Sequence, residues 1–285
     1  MSIFLLSCLI STNSVVAETC SVNIENFSIE TVGNGMDIKA VISGEFTLEI
    51  PFITIGGQPR LEGFEKSDNR PDLWEATYYA GMAGTSYMVS EYRKAIIDPC
   101  GQKVLVDAAY RVVPQDEEDK VKWRQPQWRW GINTLYIFED GYNPVSISLP
   151  KEKLKGSYQF YDYKVPFNPD QNWKELSIAP FKDHHHPDEI KAAAKAAEIP
   201  NFAGHFKLMY FGCGTGCSGL GFMDKESGAL FEPDFVVHRG FNQDARMINY
   251  RVDSALIIVN GALSEGGEVG TYYFRFDGKN FIQLD

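Results

Sequence analysis

Glycine at every second position from Gly212 to Gly216, with cysteines in the same run, is the feature that most restricts this chain. The stretch reads Gly212-Cys213-Gly214-Thr215-Gly216-Cys217. A residue with no Cβ takes φ > 0 without steric cost, so the backbone here can fold back sharply. Just before it, His205-Phe206-Lys207-Leu208-Met209-Tyr210-Phe211 is dominated by aromatic and aliphatic residues, with Lys207 the only charge. That is strand character. The glycine freedom lets Cys213 and Cys217 reach the Cα separation of roughly 4.4–6.8 Å that a disulfide requires. The CxxxC spacing is not the redox CxxC, and two cysteines alone make a poor zinc site. A structural disulfide is therefore expected, with a reactive pair as the alternative.

These residues also carry a resemblance. Asn201-Phe202-Ala203-Gly204-His205-Phe206, the strand, the GCGTGC run and the turn from Asp224 to Gly228 resemble a family of uncharacterised secreted bacterial proteins. The family's pattern is roughly NFAGHY, a strand, WGCGTGC, a D-x-x-T-G turn, a strand with DS-x-L-L, and a closing G-T-Y-Y segment. Asp253-Ser254-Ala255-Leu256-Ile257 and Gly270-Thr271-Tyr272-Tyr273 stand at the matching places. Phe211 replaces the frequent Trp, and Glu226-Ser227-Gly228 replaces the Thr-Gly ending. The resemblance covers residues 200–285, under a third of the chain. It implies a small β domain and no particular activity.

Residues 1–17 contain no charge, residues 3–10 are mostly apolar, and Val15-Val16-Ala17 offers small residues for cleavage. This reads as a signal peptide cut before Glu18, although its n-region lacks Lys and Arg and the true start could lie upstream. The apolar run is too short to span a bilayer. Leu5-Leu6-Ser7-Cys8 resembles a lipoprotein cleavage site, but it lies close to Met1 without a basic n-region, so a lipid anchor at Cys8 is disfavoured. Removal of the leader leaves four cysteines, Cys20, Cys100, Cys213 and Cys217. An even number in an exported chain points to disulfides in an oxidising compartment, periplasmic or extracellular. Three connectivities exist, of which Cys20–Cys100 with Cys213–Cys217 is favoured. Loop entropy gives about 4.5 kcal/mol for the long first loop and about 2 kcal/mol for the short second one.

The net charge of −11 and the pI near 5.0 argue against nucleic acid and anionic membranes as partners. They permit a basic protein or a small soluble ligand. The patterning predicts a mainly β chain of antiparallel sheets and hairpins with one or two short helices, in two β-rich units. The division expected is a leader at 1–17, an N-terminal β unit at 18–150, a connecting segment with a short helix at 151–199, and a C-terminal β domain at 200–285. Gly33-Asn34-Gly35 suits a type I′ hairpin turn between strands at 21–30 and 36–50. Residues 56–72, rich in Gly, Pro and charge, read as a long loop, and 73–93 as two strands around Gly81 and Gly84. Residues 150–156 are the linker candidate. The Ala-rich run 188–198 reads as a helix stopped by Pro200. Residues 271–284 form the clearest hairpin, joined by Asp277-Gly278.

Trp123, Trp128 and Trp130, interleaved with Arg124 and Arg129, follow an acidic run at 115–119. The functional reading is a platform for a sugar ring or a peptide, using aromatic faces and Arg forks. The plainer reading is a strand with Trp128 and Trp130 on one buried face, since side chains two apart point the same way. His184, His185 and His186, set between carboxylates, are candidate ligands for Zn²⁺ or Cu²⁺. Adjacent histidines do not project to one point from regular structure, and no HExxH is present. A solvated turn before a helix is preferred, and no cofactor is expected.

No GxSxG elbow or phosphate-cradling loop occurs. His205, or His238, with a cysteine such as Cys213 could form a Cys–His pair, which a disulfide would remove. Two readings remain. The first is an exported envelope protein that binds a protein or cell-wall ligand without catalysis, for instance an inhibitor or immunity-type partner. The alternative is a secreted hydrolase with a site near His205 and Cys213.

Overall fold

The computed structural model describes residues 22–35, 37–83, 89–114, 125–152, 158–239 and 247–284. Five antiparallel sheets carry the chain. β1 (Ser28–Val32), β2 (Lys39–Ser43) and β3 (Thr47–Pro51) form the first. The second is the meander β4 (Arg60–Lys66), β5 (Trp74–Ala83), β6 (Val89–Asp98) and β7 (Lys103–Pro114). β8 (Gln127–Trp130), β9 (Thr134–Phe138) and β10 (Val145–Ser148) form the third. Among the described residues one α-helix, α1 (Pro187–Ala194), precedes the last two sheets. The fourth sheet holds β11 (Phe206–Gly212), β12 (Cys217–Asp224), β13 (Leu230–Phe231) and β14 (Val237–His238). The fifth holds β15 (Ile248–Tyr250), β16 (Leu256–Gly261), β17 (Gly270–Phe276) and β18 (Phe281–Leu284). The expected mainly β architecture with a short helix is what the chain adopts.

Period-two patterning decides which faces meet. Trp74, Ala76, Tyr78 and Ala80 of β5 point to the first sheet, where Ala40, Ile42 and Ile50 receive them. On the other side of the second sheet, Leu73 and Ile96 pack on Leu135 and Ile137 of the third. The second sheet is thus covered on both faces. In the C-terminal part, Phe206, Leu208 and Phe222 pack on Ile257, Val259 and Phe274 of the fifth sheet. Met209, Phe211 and Met223 face α1 through Ile190, Ala193 and Ala194. Leu256 and Ile258 point the opposite way, onto Ile132 and Phe160. Burial on both faces explains the unbroken apolar run from Ala255 to Val259.

Several local expectations are revised. The chain between β1 and β2 is longer than a two-residue turn: Val32 pairs with Lys39, and Gly33 and Gly35, not Asn34, have positive φ. Residues 36–50 hold β2 and part of β3 rather than one strand, because the chain reverses at Gly44, whose N–H donates to Phe46 O. The supposed loop 56–72 contains β4, an edge strand whose Arg60, Glu65 and Lys66 are exposed. Edge strands carry such charge against unwanted pairing. α1 ends at Ala194, short of the expected 198. The backbone leaves the helical region at Lys195, with ψ 142°, and the Lys225 ammonium donates to Ala193 O and Lys195 O, where the helix's last carbonyls need partners. The final hairpin pairs Phe276 with Phe281, so its turn has four residues, with the Asp277 carboxylate accepting from Lys279 N and Asn280 N.

Candidate functional site: an aromatic cleft beside the third sheet

β8 carries Trp128, Arg129 and Trp130 of the tryptophan stretch. Trp128 pairs with Ile137 and Trp130 with Leu135 of β9. Both indoles pack against the Leu73–Ile96–Leu135 cluster, and both remain half-buried. Trp128 donates its indole N–H to Ala109 O at 2.9 Å, as a buried Trp must. Their uncovered surfaces line a cleft of about 260 Å³ with Asn69, Lys94, Tyr110, Pro126, Asn201 and Tyr250. Each of Trp128 and Trp130 is thus packed on the core over part of its ring and lines the cleft with another part. Trp123 and Arg124 lie outside the described residues.

Arg129 is not a free fork for a ligand. It donates to Ile199 O at 3.0 Å, Pro200 O at 2.9 Å and Trp128 O at 3.1 Å, and also to the Gln127 side-chain oxygen. Burial lowers its pKa, and the guanidinium stays charged regardless. Gln127 donates to Ala197 O at 2.6 Å. Together they bind β8 to residues 197–200. Lys94 and Asn201, two further polar residues of the cleft, are also engaged. Lys94 pairs with the buried Glu75, its ammonium 5.3 Å from the Tyr110 ring centroid. Asn201 exchanges hydrogen bonds with the Leu208 backbone. The remaining offer to a ligand is chiefly aromatic: Tyr110, Trp128, Trp130 and Tyr250. Tyr110 and Tyr250 come from other strands, β7 and β15, and no local pattern marks them as neighbours of the tryptophans.

The other candidate residues fall elsewhere. Cys213 and Cys217 are bonded to each other, with Cα atoms 5.3 Å apart, in the exposed turn between β11 and β12. Cys100 is disulfide-bonded, while Cys20, its expected partner, and Cys8 lie outside the described residues. His205 precedes β11 and Cys213 follows it, so a seven-residue strand separates them. At about 3.3 Å per residue they sit more than 20 Å apart, and the Cys–His pair considered from sequence does not form. His238 does lie near the disulfide, directly across the ladder from Cys217. The rings of the three histidines before α1 stay close, His184 standing 6.3 Å from His185 and 6.0 Å from His186 between centroids, but His184 and His186 have other partners as well. His184 Nε2 lies 3.2 Å from Glu232, its Nδ1 accepts from His186 N, and the His186 ring stacks on Phe211 at 4.5 Å.

Among the described residues, the three side chains whose donor atoms gather as a metal site would require are His205, Asp224 and Glu226, within 4.8 Å of one another. His205 and Glu226 also line a second cavity of about 560 Å³, with Phe167, Asn168, Gln171 and Asp277. No family model, curated protein or solved structure matches this chain.

Proposed function

We propose that the chain is an exported envelope protein that binds a protein or a cell-wall ligand without catalysing a reaction. An inhibitor or immunity-type role is one form this would take. The observation that carries the reading is the cleft formed by Tyr110, Trp128, Trp130 and Tyr250. Its polar neighbours Arg129, Lys94 and Asn201 are engaged within the protein, so they hold the ring faces in place rather than act on a substrate. At about 260 Å³ the cleft is smaller than the roughly 300–1,000 Å³ of most small-molecule sites. It suits one ring, either a sugar residue of a longer chain or an aromatic or proline side chain anchoring a larger interface. Buried aromatic anchors of this kind dominate binding energy. The charge of −11 favours a neutral or basic partner.

Immobilised wild-type protein and a Tyr110→Ala/Tyr250→Ala variant should be offered envelope extract and cell-wall fragments side by side. A species held by the wild type should bind the variant roughly thirtyfold more weakly, the equivalent of about 2 kcal/mol. Equal retention by both, or retention by neither, would refute the cleft as the binding site. The hydrolase alternative keeps one supporting observation, the place of His205 beside two carboxylates and the larger cavity. It would appear as turnover of an ester or peptide that His205→Gln abolishes.

A further inference from the structure

We infer that His205, Asp224 and Glu226 form a binding site for one divalent first-row transition-metal ion, at the mouth of the larger cavity and separate from the aromatic cleft. The hairpin itself assembles the donors. Phe206 opposes Asp224 in the β11–β12 ladder, so His205 and Glu226 emerge at the same end, one residue before and two residues after that pair. The backbone closes this end: Lys225 N donates to His205 O at 2.9 Å.

The geometry suits an ion better than a direct pair. His205 Nε2 stands 3.7 Å from Asp224 Oδ1, beyond hydrogen-bond reach. Two donors bound to one ion at about 2.0–2.2 Å each lie roughly 3–3.6 Å apart. Asp224 is already oriented. Its Oδ1 accepts from Glu226 N at 2.8 Å and Ser227 N at 3.3 Å, and its Oδ2 accepts from Ser227 Oγ at 2.6 Å. Outer hydrogen bonds of this sort fix a ligating carboxylate in place. Glu226 is exposed and free to swing inward by the ångström or so that closing the set requires. One imidazole and two carboxylates bring two negative charges and mixed N and O donors, which suits zinc or manganese. Three protein ligands leave at least one position open, the arrangement of sites that hold a water or an incoming group. Two of the three donors, His205 and Glu226, line the cavity together with Phe167, Asn168, Gln171 and Asp277.

The test uses the mature chain made without a histidine tag, stripped with a chelator and titrated calorimetrically with Zn²⁺ alone and Mn²⁺ alone. One ion per chain should bind for at least one of the two metals. Both Glu226→Gln and His205→Gln should weaken that binding by at least about tenfold. Circular dichroism should show both variants folded, since Glu226 is exposed and His205 half-exposed. The inference is overturned if neither ion binds at about 1 mM, or if binding survives both substitutions, which would place the ion elsewhere, for instance at His184–His186.

Discussion

Arg129 and Glu198 show how single charges are committed in this protein. Arg129 donates to four acceptors, Ile199 O and Pro200 O in the segment 197–200 and Trp128 O and the Gln127 side-chain oxygen in β8. Glu198, from the same segment, takes the Lys207 ammonium at 2.7 Å. Burial pushes the Glu198 pKa up, but the Lys207 and Arg129 charges outweigh it and leave the carboxyl below its usual range. A carboxylate whose folded pKa is depressed stabilises the fold above its unfolded value of about 4.3, and that stability is lost as pH falls through the folded pKa. Glu198→Gln should therefore be less stable than wild type at pH 7, by about 1 kcal/mol given the partial exposure of the pair. In urea melts the two proteins should converge as pH drops below about 4. A constant difference across that range would show that the ion pair is not its source. Trp128 makes a second residue-scale case. Its N–H bond to Ala109 O and its packing on Leu135 and Ile137 mean that Trp128→Ala should cost about 3 kcal/mol of stability, whatever it does to binding. A variant melting within a degree or two of wild type would remove the core role.

At the scale of elements, the β11–β12 hairpin depends more on packing than on its disulfide. The Phe211 ring lies across Gly221, where an added Cβ would stand 2.5 Å from ring carbon Cζ. Gly221→Ala must push that ring off α1 and should destabilise by about 1–3 kcal/mol. Cys213→Ser/Cys217→Ser opens a loop of only a few residues and should cost no more than about 2 kcal/mol. Thermal melts of the two variants test this. Early melting of the serine pair with a silent glycine variant would reverse the assignment. Strands whose two faces differ, such as β5, and strands buried on both, such as β16, were legible because hydrophobic pattern alone specifies them. β4 was not, because its charged edge residues and Gly63 read like a loop. The break between β2 and β3 also escaped, because Gly44 and Glu45 interrupt an otherwise strand-like run without Asn-Gly chemistry. The aromatic cleft was half legible: the tryptophans stood out by their density, whereas Tyr110 and Tyr250 join them only through long-range packing.

Across the whole molecule, a buried charge cluster ties the N-terminal sheets to the C-terminal ones, and its members are scattered too widely for sequence to associate them. Arg251 donates to Glu152 at 2.6 and 3.2 Å and to Asn69 O at 2.6 Å, with its guanidinium 4.3 Å from the Phe160 ring centroid. Arg70, fully buried, holds Asp72 and Pro150 O and stands 3.7 Å from the same Glu152. Glu152 falls in the linker candidate 150–156, and its side chain is 6% exposed. Nearby, Asp253 accepts from Ile132 N at 2.8 Å, and Val252 N donates to Trp130 O. Removing one partner of such a cluster strands the others without water. Arg251→Ala should thus cost about 3–5 kcal/mol, more than a surface ion pair could account for. Because the cluster joins the two halves, calorimetry should show one unfolding transition in the wild type and two in Arg251→Ala, with the C-terminal half melting separately. The double variant Arg251→Met/Glu152→Gln takes away both the cation and the carboxylate it leaves behind, and should recover part of the loss. If Arg251→Ala instead melts in a single transition within about 1 kcal/mol of wild type, the halves are coupled by the β8 contacts and not by this cluster.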